Sequence, residues 1–358
     1  MIQNLHFCFG TYKTSVYITQ KVPDIEEIAG NYGDESFQPL LICDDNTEQL
    51  AMAIRTNANI PVCTIKSGES NKNWLAVEAI LRSAHDAGIG RDGIFIGVGG
   101  GLVGDLSAFA ASIYMRGCRL VLVSTSLLGM VDASLGGKTG CDLFGIKNLA
   151  GTFYPASHVY MPMESLASLP LTEWKSGMAE IIKTAVLDSD DFLDEIYTMA
   201  ASTITDPLSP VLFRCISRAV QFKAGIVAQD PLETGIRRIL NLGHTFGHAL
   251  EAAAGLGIIS HGEAVAWGIA RACDLALVLG ECPQERTEKI NKLLAAYGFE
   301  TAAPHPLMSS IGTFMEKLNS DKKKRGGNLT FIIPDGKSAV CVDSISPDII
   351  SNIINGEL

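Results

Sequence analysis

The sequence predicts an α/β chain in two parts: a parallel sheet covered by helices over residues 1–169, then a mainly α-helical part over residues 170–358. Three observations predict it. Short apolar, β-branched runs alternate with helical patterns over about the first 160 residues. A glycine-rich turn joins one of those runs to one of those helical patterns. After SLASLPLTEWKSG (165–177) the texture changes, and from Met178 to about Gly298 the chain reads as long helices rich in Ala, Leu and Ile.

Taken in order, PLLIC (39–43) reads as a buried strand ending in Asp44-Asp45-Asn46. NWLAVEAILRSAHDAG (73–88) has apolar residues at helical spacing, with Gly88 as its C-terminal stop. GIFIGV (93–98) is a second strand, GDLSAFAASIYM (104–115) a helix and RLVLVS (119–124) a third strand. The boundary between the two parts is expected near Leu169-Pro170. Late in the chain NLTFIIP (328–334) and SAVCVDS (338–344) flank Asp335-Gly336, which predicts a small hairpin on the helical part.

Composition excludes several classes. With 28 basic against 39 acidic residues the net charge is −11, which argues against non-specific binding to nucleic acid or to an anionic membrane. An anionic small molecule would have to meet a local cluster of Lys and Arg inside that negative field. The nine cysteines are scattered and no CxxC occurs, so neither a disulfide framework nor a cysteine zinc site is indicated. MIQNLHFCFGTYK shows no charged-then-apolar leader, and no apolar run reaches roughly 18 residues, so a cytoplasmic enzyme with reduced thiols is expected.

Gly99, Gly101 and Gly104 form a GxGxxG spacing between a strand and a helix. Such a turn brings backbone N–H groups and a helix N-terminus up to a pyrophosphate. It departs from the usual dinucleotide pattern, because no acidic residue follows about 20 positions later. Asp44, at the end of the earlier strand, is the alternative partner for ribose hydroxyls, and a tight structural turn without ligand is the other reading.

NLGHTFGHALEAAAGLGIISHGEAVAWGIA (241–270) holds three of the seven histidines. His244 and His248 are four residues apart and share a helix face, while His261 opens the next helical pattern. Thr245 stands where HExxH has its glutamate, so metalloprotease chemistry is not expected. Two of these imidazoles with Glu180 of GMAEIIK would make a three-ligand site with an open position, which is a catalytic arrangement. Spacing alone leaves open which two bind, and a single histidine on such a helix is more often a core residue. Arg116, Asp132, Lys138, Lys147-Asn148, Lys183, Lys223 and Arg237-Arg238 recur inside apolar or glycine-rich runs. One by one they read as surface heads on buried stems; together they predict a pocket for a ligand with two anionic groups.

The segments GGGLVGDLSAFAASIYMRG, LLGMVDASLGGKTG, KNLAGTFY, GMAEIIK, NLGHTFGHALE, HGEAVAWG and DKKKRGG follow one another as in the 3-dehydroquinate synthase family of sugar phosphate cyclases, which the chain resembles over roughly residues 40 to 330. The resemblance implies a Rossmann-like NAD-binding α/β domain, a helical metal- and substrate-binding domain, an active site in the cleft, and a homodimer. It implies NAD and a divalent metal, zinc or cobalt, as cofactors. The implied reaction converts 3-deoxy-D-arabino-heptulosonate 7-phosphate to 3-dehydroquinate and phosphate in the shikimate pathway. Transient oxidation acidifies a C–H, phosphate leaves by β-elimination, the hydride returns, and ring opening and an intramolecular aldol follow.

Residue by residue, the resemblance assigns the metal to Glu180, His244 and His261, and makes His248 a substrate contact. It assigns substrate phosphate and carboxylate to Lys138, Asn148, Lys183, Lys223, Arg237, Asn241 and Lys322 of the DKK segment, with Arg116 reaching the phosphate site of a partner subunit. NAD falls to Asp44, Glu69, Lys72, Gly100, Gly101, Asp105, Thr125, Ser126, Asp132, Lys138 and Lys147. Asp132, Glu233 and His248 are the implied proton-relay candidates. Ser126, Ile146 and Ser168 depart from the family pattern, and the first 35 residues match it weakly. Two other reactions stand beside this one: those of 2-deoxy-scyllo-inosose or valiolone synthases, and that of a glycerol dehydrogenase-type oxidoreductase.

Overall fold

The computed structural model describes residues 3–32, 38–55, 59–199, 206–255, 257–324 and 329–357, with the side chains of 320–324 outside that description. Packing divides the chain into two units, Met1–Pro170 with Thr205–Leu232 and Leu171–Ile204 with Glu233–Leu358.

The first unit is built on a seven-stranded sheet. Its strands are β1 (Gln3–Phe9), β2 (Tyr12–Thr19), β3 (Pro39–Asp44), β4 (Val62–Ile65), β5 (Ile94–Gly99), β6 (Arg119–Ser124) and, after an antiparallel hairpin of β7 (Lys138–Leu143) and β8 (Ile146–Phe153), β9 (His158–Pro162). The spatial order is β1-β2-β9-β6-β5-β3-β4, parallel throughout except for the β1–β2 hairpin. Every residue of β3 and of β5 is buried. That is why these strands read as continuous apolar runs: both faces of a parallel sheet are covered by helices.

On one face, Ile25 and Ile28 of α1 (Ile25–Tyr32) and Ala51 and Ile54 of α2 (Glu48–Ile54) pack with Leu41, Ile96, Val121 and Tyr160 of the sheet. α3 (Trp74–Asp86) and α4 (Gly101–Ile113) also pack on the sheet, burying Val77, Ile80, Val103 and Leu106. Asn73 starts α3 by accepting from the N–H groups of Leu75 and Ala76 at 3.0 and 3.3 Å. The helix expected from 104 begins at Gly101, directly after the strand, so the glycine turn is tighter than its spacing implies.

A further helix, α7 (Pro210–Gln229), belongs to this first unit, although the sequence reading drew a single boundary at 169/170. Polar contacts that no periodicity encodes hold it there. Lys223 bonds the Asp132 carbonyl at 2.7 Å and its carboxylate at 2.5 Å, and Ser217 donates to Gln3 Oε1 at 2.5 Å.

The second unit is helical: α5 (Leu171–Asp188), α6 (Asp190–Thr198), α8 (His244–Ala254), α9 (His261–Leu279), α10 (Gln284–Ala296), α11 (Ile311–Lys324) and α12 (Pro347–Asn355). The expected hairpin is present as β10 (Thr330–Pro334) and β11 (Ala339–Asp343), and it lies on α8: Phe246 and Phe331 rings are 4.9 Å apart, and Thr245 donates to the Thr330 carbonyl at 3.0 Å. No helix among the described residues is long and apolar enough to cross a membrane.

Glycines set how closely α8 and α9 approach. Gly243, which precedes α8, has φ +80°, and a Cβ there would lie 2.7 Å from the Val265 carbonyl oxygen of α9. Gly262 of α9 meets the backbone of Ser176 in α5 in the same manner. Both left-handed strain and backbone overlap oppose a side chain at 243. Gly243→Ala is expected to lower unfolding stability by about 2–4 kcal/mol, read as a shift of the denaturation midpoint at unchanged slope.

Candidate active site

The C-terminal ends of β3, β5 and β6 gather the residues expected to face a dinucleotide. Asp44 ends β3, and its Oδ1 accepts from the N–H of Asn46 at 3.1 Å and from the N–H and hydroxyl of Thr47 at 2.9 and 2.8 Å. One carboxylate oxygen is thereby fixed, while Oδ2 stays outside these bonds. Gly100 lies between β5 and α4, and a Cβ on it would stand 3.0 Å from Ser126 Oγ. At Gly99 a Cβ would collide with Val103 at 2.5 Å, whereas at Gly104 it would meet nothing within 4 Å. Gly99 therefore serves close packing against α4. Gly100, Gly101, Gly104, Gly129 and Ser134 line a small cavity at this point. Thr125 and Ser126 are buried just after β6, and Ser126 Oγ accepts from the N–H of Gly129 at 3.1 Å.

Lys72 is the centre of a second group. Buried itself, it lies 2.5 Å from Asp105 Oδ2 on α4, and its carbonyl accepts from the N–H of Asp142 at 2.7 Å. Burial works against the Lys72 charge, but the Asp105 carboxylate outweighs it and raises the ammonium pKa above its ordinary value, so Lys72 stays a cation. Glu69 is exposed on the short turn before it and adds to that field. Asp142 in turn accepts from the N–H of Asn148 at 2.7 Å, where the chain takes φ +51°. Sequence reasoning missed Asp142. Lys138, Lys147 and Asn148 are exposed on the β7–β8 hairpin, and Arg116 is exposed with φ +71°. Asp132, on a π-helical turn over Gly129–Ala133, pairs with Lys223 as described.

The second unit brings the predicted metal ligands together. Glu180 on α5 is 1 % exposed, and its Oε1 lies 3.9 Å from His244 Nε2 and 3.7 Å from His261 Nε2. His244 is the first residue of α8, and its Nδ1 lies 3.2 Å from the Leu242 carbonyl, which places the ring proton on that nitrogen and leaves Nε2 for the cluster. His261 opens α9, where Ser260 caps the helix by accepting from Glu263 N–H at 3.2 Å. Its Nδ1 lies 3.7 Å from Oε1 of Glu251. Glu251 went unremarked in the sequence, although its place three residues after His248 and seven after His244 puts it on the same face of α8.

These residues fit a divalent cation. Their donor atoms lie within 4.8 Å of one another. Ligands about 2.1 Å from a tetrahedral zinc stand roughly 3.4 Å apart, a few tenths of an ångström closer than Glu180 Oε1 stands to either imidazole nitrogen. The Lys183 ammonium, one turn along α5, pairs with Glu180 Oε2, while the buried Oε1 has no hydrogen-bond partner among the described residues. A buried carboxylate in that position needs further positive charge. The field is cation-attracting: burial disfavours the His261 imidazolium, yet Glu180 and Glu251 together raise its pKa to about 9.

His248 is exposed on α8 with its ring centroid 5.2 Å from that of His244. Arg237 and Lys183 are each 2 % exposed. Asn241 donates to Glu233 Oε1 at 2.5 Å, and Glu233 itself has φ +59°, the kind of backbone strain that accumulates at functional sites. Lys322 falls in the last turn of α11, and its side chain lies outside the described residues.

A parallel-sheet unit with a glycine turn at its strand ends, joined in one chain to a helical unit with a Glu-His-His cluster, defines a class of two-part α/β enzymes that carry out metal-assisted chemistry. Residues 62–176 match the family model described as 3-dehydroquinate synthase N-terminal, and residues 177–324 match that described as 3-dehydroquinate synthase C-terminal. The chain belongs to the 3-dehydroquinate synthase family. It is 37 % identical to the 3-dehydroquinate synthase of Colwellia psychrerythraea over 84 % of both chains, and 33 % identical to that of Shewanella frigidimarina over 99 % of both. Among solved structures, a 2-deoxy-scyllo-inosose synthase complexed with carbaglucose-6-phosphate, NAD+ and Co2+ aligns with a TM-score of 0.86 at 25 % identity, over 99 % of this chain and 100 % of that one. The 2-epi-5-epi-valiolone synthase ValA of Streptomyces hygroscopicus, with NAD+ and Zn2+ bound, aligns at 0.84 and 25 % identity over 96 % of both chains. A probable glycerol dehydrogenase from Sinorhizobium meliloti, at 0.67 and 15 % identity over 98 % of both chains, shares the fold.

The two histidines of α8 are separable by experiment. His244→Ala is expected to abolish stoichiometric metal after gel filtration, whereas His248→Ala retains it, with elemental analysis of the two variants as the check. Loss of metal from both would refute the division of roles.

Proposed function

We propose that the protein catalyses the 3-dehydroquinate synthase reaction, converting 3-deoxy-D-arabino-heptulosonate 7-phosphate to 3-dehydroquinate and phosphate. The observation that carries this reading is the buried Glu180 carboxylate, whose Oε1 faces Nε2 of both His244 and His261, in a chain of this family. When bound, a divalent metal held by Glu180, His244 and His261 supplies Lewis acidity at a substrate oxygen, and NAD supplies a reversible hydride acceptor.

The chain's own residues do the rest. Asp44 presents Oδ2 to ribose hydroxyls, with its other oxygen locked by Asn46 and Thr47. Gly100 and Gly101 pack close to Ser126 and Ala133, and the N–H groups at this start of α4 are the donors to a pyrophosphate. Around them, Thr125 and Ser126 offer hydroxyl donors, and Glu69, Lys72, Asp105, Asp132 and Lys147 complete the NAD contacts. Lys138, Asn148, Lys183, Lys223, Arg237, Asn241 and Lys322 bind the two anionic ends of the substrate by charge-assisted and neutral hydrogen bonds. Fixed cations of this kind stabilise the charge that grows on a leaving phosphate, and they do so without reorganisation. Glu233 holds Asn241 through the Nδ2–Oε1 bond, and it stands with Asp132 and the exposed His248 imidazole as a carrier of the abstracted proton.

The reading places the enzyme in the cytoplasm as a homodimer, with the exposed Arg116 contributed to a partner subunit's phosphate site. The negative net charge gives no electrostatic reason for nucleic-acid or membrane binding.

The direct test incubates purified, metal-loaded protein with the heptulosonate phosphate and substoichiometric NAD. Stoichiometric phosphate and dehydroquinate should form without net absorbance at the NADH wavelength. Accumulating NADH would instead indicate a dehydrogenase, and phosphate release from glucose 6-phosphate alone would indicate a different cyclase. Asp44→Ala should weaken NAD binding roughly 10–100-fold, as expected for a hydrogen bond to a charged acceptor, with calorimetric titration as the measurement.

A further inference from the structure

We propose that Glu251 selects which nitrogen of His261 is offered to the metal, and so decides between two overlapping donor sets; this rests on the metal-site reading above. One set is Glu180, His244 and His261, the other His248, Glu251 and His261, and in each the donor atoms lie within 4.8 Å of one another. His261 is common to both. A neutral imidazole carries its proton on one nitrogen and a lone pair on the other, so the ring's tautomer decides which nitrogen can ligate.

Glu251 and Glu180 stand on opposite nitrogens of that ring. Glu251 Oε1 is 3.7 Å from Nδ1, and Glu180 Oε1 is 3.7 Å from Nε2. An acceptor beside Nδ1 draws the ring proton there and turns the Nε2 lone pair toward Glu180 and His244. His244 is set in the same sense by the Leu242 carbonyl at 3.2 Å, a backbone group that no substitution removes. For His261 the corresponding acceptor is a side chain. Glu251 is 14 % exposed at its side chain, and partial burial strengthens the electrostatic pull of its carboxylate on the Nδ1 side of the ring. Glu251 is then a positioning residue that acts through His261 and makes no bond to the metal. Carboxylate acceptors behind a ligating histidine fix ring orientation and raise its basicity.

The test is metal affinity, measured on the full-length protein with Zn2+ alone in competition with a chromogenic chelator. Glu251→Ala should weaken Zn2+ binding by about 10–100-fold. Glu251→Gln, whose amide oxygen still accepts from Nδ1–H, should fall between that variant and the native protein and keep the native visible spectrum with Co2+. Glu251→Leu, which fills the space without an acceptor, gives the same reading as Glu251→Ala should the smaller residue prevent folding. Native-like affinity in the Ala and Leu variants overturns the proposal. So does a Gln variant as weak as the Ala variant, because acceptance would then not be the cause. His248→Ala as damaging as Glu251→Ala would put the metal in the second set and overturn it too. Glu180→Gln separates the two levels of argument: if that variant binds Zn2+ like the native protein, the metal-site reading itself falls, whereas its loss alongside native-like Glu251 variants removes only the role of Glu251.

Discussion

The second unit is organised around one buried charge. Glu180 sits in the interior of α5 among apolar neighbours, with a single lysine on one of its oxygens and two imidazole nitrogens facing the other. An isolated carboxylate at this depth would cost several kcal/mol or take up a proton. Everything around it works to bring positive or Lewis-acidic groups within reach. The left-handed Gly243 turns the chain into α8 so that His244 stands at the helix start, and Ser260 does the same for His261 at the start of α9. The glycine contacts between α8 and α9 and between α9 and α5 then close the distances that place both Nε2 atoms within 4 Å of one carboxylate oxygen.

The first unit solves a different problem. Its strand ends converge on a glycine turn, and the segments around that turn come from distant parts of the chain. Two ion pairs supply the order. Lys72–Asp105 ties the segment after β4 to α4 and, through the Lys72 carbonyl, to the β7–β8 hairpin; Lys223–Asp132 ties α7 to the π-helical turn after β6. Such pairs add little net stability when desolvation is counted, but each is strongly directional. Both pairs include residues proposed to meet cofactor or substrate, so the proposed ligand contacts and the scaffold that holds them are the same side chains.

Both units of this acidic chain also bury cations. The chain carries −11 overall, yet Lys72, Lys183, Lys223 and Arg237 are all buried. A buried cation is kept only where it has a partner or a ligand to meet. Three of these cations have a carboxylate partner: Lys72 has Asp105, Lys183 has Glu180 and Lys223 has Asp132.

Much of this was legible before any coordinates. The strand–helix alternation, the late hairpin and the glycine turn follow from periodicity and composition, because each depends on contacts within a few residues of chain. The motif run NLGHTFGHALE to HGEAVAWG carried the family, and with it Glu180, His244 and His261. Other features were decided by tertiary packing. α7 looks in sequence like one more helix of the helical part, but it joins the first unit because Lys223 and Ser217 find partners far back in the chain. Spacing places His244 and His248 on one helix face, yet His244 turns its Nε2 to Glu180 while His248 lies exposed. Glu251 acquires meaning only once His261 is beside it. The physical reason is common to all three: helical periodicity encodes which face of an element is apolar, whereas the partner that a polar atom meets depends on how closely separate elements approach, and here glycine contacts and ion pairs between distant segments set that distance.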